Sequence, residues 1–216
     1  DAALLAWLDS GGRVNATCGM GDVRGLSALM RAAQFGHERV VELLLQRGAE
    51  INQQSSDGST ALMYAATKGH ERVVELLLQR GAEVNLQNSD GVTALMLAAL
   101  FNHPAIVLRL LRAGADAALR SDGGKSALQL AKEEGHAECV EAFRQHIAEV
   151  TASRREAAAG GAGGASSGEA AAGARAAASS GSPGSLSEEA RQAAARGEEA
   201  ALLAWLDSGG RVNATC

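Results

Sequence analysis

The chain has 216 residues, 46% of them hydrophobic but only 3% aromatic, with 26 glycines, 2 prolines and a formal net charge of -5. That length allows one ordinary domain with a tail or two small ones, and the composition suits helices packed through Leu, Val and Ala and joined by glycine turns. The acidic balance gives no electrostatic reason to expect nucleic acid or an anionic membrane as partner, and the apolar runs are far too short to span a bilayer.

In chain order, the sequence opens at Asp1 without a methionine or a signal peptide, and it reads as a fragment of an intracellular protein, cytoplasmic with the nucleus also open. Residues 1–18 look like the second half of a helical unit. With Gly11 set against Gly48, Leu4, Trp7 and Leu8 stand opposite Val41, Leu44 and Leu45, an apolar stripe at helical spacing. A short Gly-rich connection at 19–21 follows.

Then the chain repeats itself. GHERVVELLLQRGAE runs from Gly36 to Glu50 and again from Gly69 to Glu83, 33 positions on, which marks a stack of small units that cannot bury their apolar faces alone. Gly25, Gly58, Gly91 and Gly124 keep the same 33-residue step. Each glycine suits a tight turn, and Ser27, Thr60, Thr93 and Ser126 each suit the N-cap of a short helix that begins just after. The first helix of a unit carries the small pairs Ala32-Ala33, Ala65-Ala66 and Ala98-Ala99. A Gly-His or Asn-His step breaks it before a second helix, in which Val40, Val41, Leu44 and Leu45 form one buried stripe and Glu38, Arg39, Glu42 and Gln46 face water. Gly48, Gly81 and Gly114 stop that second helix in the left-handed conformation.

The pattern D-G-x-T-A-L-M-x-A-A-x-x-G-H-x-x-V-V-x-L-L-L-x-x-G-A-x-V-N, from Asp57 to Asn85, closely resembles the ankyrin repeat. The resemblance implies an all-α fold, a helical solenoid of helix-turn-helix units with β-turn or hairpin tips, over residues 22–150. Its frames would be 22–54, 55–87, 88–120 and 121–153. One departure is consistent: Met30, Met63 and Met96 stand where the family commonly has His. The fourth unit reads as a cap, because Lys132 replaces the second alanine, Arg144 replaces a core leucine, and its last helix runs on through His146 and Ile147.

Residues 151–184 are rich in Ala, Gly and Ser and read as a disordered linker, with a turn or two of helix near 154–159. Residues 200–216 are identical to residues 2–18, so that 185–216 form a second, fuller copy of the N-terminal capping repeat of which 1–18 keep a part. Either the sequence is a window onto a longer chain with tandem units, or the second copy folds back across the linker, whose r.m.s. span is roughly 30–35 Å. Exchange of that cap between chains would give self-association by domain swapping.

Chemistry is scarce. Cys18, Cys139 and Cys216 form no metal-binding spacing and are expected to be reduced thiols. His37, His70, His103 and His136 recur every 33 residues, but stacked units hold equivalent atoms roughly 10 Å apart, too far to share a metal ion. Their expected role is structural. Gly123-Gly124-Lys125-Ser126 ends like a phosphate-binding loop, yet Leu119 stands where that loop needs its first glycine. No catalytic set can be assembled, so no enzyme activity and no cofactor or metal are expected.

In the ankyrin family, partners are commonly held by the turn tips and by the exposed side of the first helix, which line the concave face. Carried onto this chain, that implies a partner-binding set of Arg24, Arg31, Phe35, Asp57, Tyr64, Lys68, Asp90, Leu97, Leu100 and Phe101. The competing reading is that Phe35 and Phe101 pack against neighbouring helices. The expected function is a protein-protein interaction scaffold or adaptor for a peptide or protein surface. The runner-up is a targeting or substrate-recognition segment of an enzyme whose catalytic domain lies outside this chain. Asn52 and Asn85 match the asparagine that intracellular hydroxylases modify in similar repeats.

Overall fold

The computed structural model describes residues 13–20 and 23–160. A two-stranded antiparallel hairpin, β1 (Thr17–Met20) and β2 (Val23–Ser27), leads into eight helices. They are α1 (Ala28–Gln34), α2 (Glu38–Gln46), α3 (Ala61–Lys68), α4 (Glu71–Gln79), α5 (Ala94–Leu100), α6 (Pro104–Arg112), α7 (Ala127–Glu133) and α8 (Ala137–Gly160). Consecutive pairs pack on each other, the short first helices α1, α3, α5 and α7 form one ladder, and α2, α4, α6 and α8 form a second. The result is the helical solenoid that the repeat pattern predicts.

Each first helix starts where a hydroxyl stops the chain from fraying. Ser27, Thr60, Thr93 and Ser126 accept the backbone N–H three residues on, at 3.3–3.4 Å, and Ser126 completes a capping box with Gln129. The alanine pairs are buried, so the first helices meet nearly backbone to backbone, and Met30, Met63 and Met96 fill the core beside them.

The histidines bind one unit to the next. His70 Nε2 donates to the Gln34 carbonyl at 3.0 Å and His103 Nε2 donates to the Thr67 carbonyl at 3.2 Å, each from the start of a second helix to the end of the first helix of the preceding unit. The glycine before the previous unit's histidine makes room for the ring. A Cβ on Gly36 or Gly69 would lie 2.6 Å from the incoming imidazole, and both glycines have positive φ. At the third boundary Asn102 takes the glycine's place at φ 57, and its side chain accepts from the Cys139 thiol at 3.5 Å. There His136 turns and uses Nδ1 on the Ala99 carbonyl, at 3.0 Å, one residue earlier than its counterparts. The thiol itself is inert, because burial, with Glu138 adding to it, pushes it up to about 11.

A second ladder runs through the loops after the second helices. Asn15, Asn52 and Asn85 accept the backbone N–H of Glu50, Glu83 and Asp116, at 2.8–2.9 Å. Ion pairs join successive outer helices, Arg80 to Glu42 at 3.3 Å and Arg109 to Glu75 at 3.1 Å, but they are half-exposed and contribute little.

Several expectations need correction. The Gly-rich connection becomes part of a hairpin, pairing Thr17 with Ser27 and Cys18 with Leu26, since the extra residues ahead of the first unit give its tip enough chain for two strands. The apolar stripe is not uniform: Val41 and Leu44 are buried, but Val40 and Leu45 are only half-buried. The helical turn or two expected near 154–159 is the end of α8, which also takes in 151–153, read as linker, and runs to Gly160 through Arg, Glu and Ala, all strong helix formers. The remaining linker, residues 1–12 and the second cap copy at 185–216 lie outside the described residues.

Two predictions test this account. Gly69→Ala should cost about 2–4 kcal/mol in urea denaturation, from left-handed strain and a displaced His103, while Gly81→Ala, whose added Cβ would meet nothing within 4 Å, should cost only about 1–2 kcal/mol. In α8, His146 is buried with neither ring nitrogen bonded among the described residues. Burial pushes its pKa below the ordinary value, and Arg112 works the same way against the opposing pull of Glu149. Below about pH 6.5 the unfolded chain therefore binds more protons than the folded one, so stability falls as the pH drops. His146→Leu should raise stability by about 1 kcal/mol at pH 8 and by more at pH 5, as read from thermal melts.

Candidate partner-binding face

The first-helix ladder leaves one side uncovered by the second helices. On it the 33-residue register lines up Arg31, Tyr64 and Leu97, then Gln34, Thr67 and Leu100, then Phe35, Lys68 and Phe101. Phe35 and Phe101 are the exposed large apolar side chains among the described residues, at 54% and 49%. The structure therefore does not tuck them between helices. Tyr64, Leu97 and Leu100 are half-buried, Tyr64 and Leu97 with one side against the core, and Lys68 is exposed.

Phe35 is held in place although it is exposed. The Arg31 guanidinium lies 4.8 Å over its ring centroid and donates to Gln34 Oε1 at 3.1 Å, and the His37 ring stacks on it at 6.1 Å. A cation over a ring contributes about 0.5–1 kcal/mol at an exposed site, enough to restrict the ring without covering it. Phe101 sits at the C-cap of α5, where its backbone N–H closes the last turn on the Leu97 carbonyl.

The turn tips are held by bonds of their own. Asp57 folds its carboxylate onto its own loop: the Ser55 and Ser59 hydroxyls donate to it, the second at 2.8 Å. Partial burial pushes this carboxyl up, but the hydrogen bonds outweigh it and hold the pKa below the ordinary carboxylate range. The Asp57 and Asp90 carbonyls accept the N–H groups of Ser89 and Asp122, each at 2.9 Å, so the tips are stitched to one another. The approach is close enough that a Cβ on Gly58 would lie 2.9 Å from Asn88. The Asp90 side chain is exposed; Arg24 lies in β2, and its side chain is outside the described residues.

The phosphate-loop look-alike is absorbed by the repeat. Gly124 turns the tip at φ 74, Ser126 caps α7 and Lys125 pairs with Glu133. Among the described residues no group of three or more His, Cys, Asp or Glu is arranged to hold a metal ion, and no helix is long and apolar enough to cross a membrane. Sequence reasoning missed the stacking of Arg31 and His37 on Phe35, although their spacing around it, four residues before and two after, could have suggested it.

Substitution separates the two kinds of residue. Phe101→Ala should change stability by less than about 0.5 kcal/mol, as exposed positions do, Phe35→Ala should cost about 0.5–1 kcal/mol through its lost Arg31 contact, and Asp57→Ala should cost about 1–2 kcal/mol by freeing a tip and leaving the Ser55 and Ser59 hydroxyls without their partner. Chemical denaturation of the three variants would show whether that order holds.

Comparison with known families agrees with this geometry. Residues 3–88 match the family described as ankyrin repeats (3 copies), and residues 77–131 match ankyrin repeats (many copies). No curated protein shows significant similarity to the chain. With its paired helices, capped turns and stacked tips, the chain belongs, over residues 3–131, to the ankyrin repeat family.

Proposed function

We propose that the protein is a non-catalytic interaction scaffold, an adaptor that holds a peptide or protein surface on the uncovered side of its first-helix ladder. Ankyrin repeats are generally protein-protein interaction modules, and the observation that carries the reading for this chain is the exposure of Phe35 and Phe101 in one register column. Large aromatics left in water, with Arg31 and Lys68 beside them, are what interface hot spots are made of. The remaining candidates fall into two groups. Tyr64, Leu97 and Leu100 would form the floor of the contact, while Asp57 and Asp90 would support it by fixing the tips. An intracellular setting agrees with the buried free thiol of Cys139.

Affinity capture from a cell lysate with the full chain as bait tests the reading. The triple variant Phe35→Ala, Tyr64→Ala, Phe101→Ala should lose the captured partner, with affinity reduced at least about thirtyfold, while its helical circular dichroism is unchanged. A partner that stays bound to the folded triple variant would overturn the assignment.

A further inference from the structure

The column that runs Phe35, Lys68, Phe101 is a pattern as well as a patch: apolar, positive, apolar, on successive first helices. Resting on the scaffold reading above, we infer that the occupant of this face is an amphipathic helix of another protein, with two large apolar residues about 14 positions apart and an acidic residue midway. Three observations lead there.

The first is spacing. Helices packed side by side lie about 8–10 Å apart, so the three side chains sit at steps of that size and the two rings are about 16–20 Å apart. An α-helix rises 1.5 Å per residue, so seven residues cover about 10 Å and return to nearly the same face. A ligand helix laid across the first-helix ladder thus meets Phe35, Lys68 and Phe101 with positions i, i+7 and i+14.

The second is the state of the backbone. The face is made of helix flanks and C-terminal ends, whose backbone groups bond within α1, α3 and α5, to the caps that follow, and to His70 and His103 of the next unit, so it has no strand edge to which an extended peptide could add. An extended segment pressed onto it would bury unpaired peptide groups. A helix brings its own bonds and presents only side chains.

Charge is the third. Lys68 is exposed between the two rings, and Arg31 lies over the first of them, so the apolar stretch has a positive centre and a positive flank. An acidic residue opposite Lys68 fits, and a basic one there is repelled. On the same column the fourth position is Glu134, exposed and negative, which favours a basic residue at i+21 and gives the ligand helix a direction.

The test is a surface-display selection with the full chain as target and random 25-residue peptides as the library. Enriched sequences should carry two large apolar residues about 14 apart with Asp or Glu between them, and should become helical on binding by circular dichroism. Phe35→Ala and Phe101→Ala should each weaken an enriched peptide at least tenfold. Lys68→Glu should weaken it at least fivefold, and exchanging the peptide's central acid for Lys should restore binding to that variant. Arg39→Ala, on the second helix, should have no effect. Enrichment of proline-containing or alternating sequences, indifference to Lys68→Glu, or no enrichment at all would each overturn the inference. If that happens while the triple alanine variant still loses its partner in capture, the face binds something other than a helix. If capture also survives the triple variant, the scaffold reading falls with it.

Discussion

A single hydrogen bond recurring across each repeat boundary is the constraint on which the rest of the stack depends. His70, His103 and His136 each donate from the start of a second helix to a carbonyl near the end of the preceding unit's first helix. The apolar contacts between units supply most of the stabilisation, but burial is non-directional and would tolerate a slide of one unit over the next. A ring donor aimed at one carbonyl does not. Each bond adds about 1 kcal/mol net, and its larger effect is to fix spacing and rotation. The glycine beneath the ring is part of the same device, since any side chain there at Gly36 or Gly69 would occupy the imidazole's place. Asn102 shows the consequence within this chain: with a side chain present, the incoming His136 moves to another carbonyl and uses its other nitrogen.

Fixed spacing is what turns separate side chains into a surface. Three ladders run through the stack, with the histidine bonds at its centre, asparagine bonds after the second helices, and tip-to-tip backbone bonds at the turns. Between them they use the recurring histidines, the recurring asparagines and the backbone groups of the tips. The side chains that change between units collect on the first helices, where Gln34-Phe35 becomes Thr67-Lys68 and then Leu100-Phe101. The stack holds these variable positions at a constant pitch, so that a partner meets a rigid row.

Much of this was legible in the sequence because a repeat states its rule several times. The hydroxyl caps, the turn glycines and the structural role of the histidines all follow from a fixed step and ordinary helix chemistry, and the structure shows each at work. What was not legible lay at the ends and the tips. The pairing of Thr17–Met20 with Val23–Ser27 and the unbroken run of α8 from Ala137 to Gly160 occur where no second copy of the unit constrains the reading. Asp57 was read as a contact residue because it stands at a tip position of the ankyrin pattern. That its carboxylate also bonds to its own loop was not legible, since the hydroxyls were invisible as partners until the chain was folded.

The twice-copied GHERVVELLLQRGAE separates the two sources of information most cleanly. By itself the sequence determined that both copies are amphipathic helices stopped by a glycine, since periodicity and backbone preference are local properties. It could not determine what each copy buries. Val73 is fully buried between neighbouring units, while Val40, the same residue in the same sequence context, is half-exposed, because among the described residues α2 packs against an outer helix on one side only. The same holds for Phe35 and Phe101. The sequence left open whether they line a partner-binding face or pack against neighbouring helices, and only the position of those helices left half of each ring in water. Burial belongs to the pair of surfaces that meet, and tertiary packing alone decides which surfaces do.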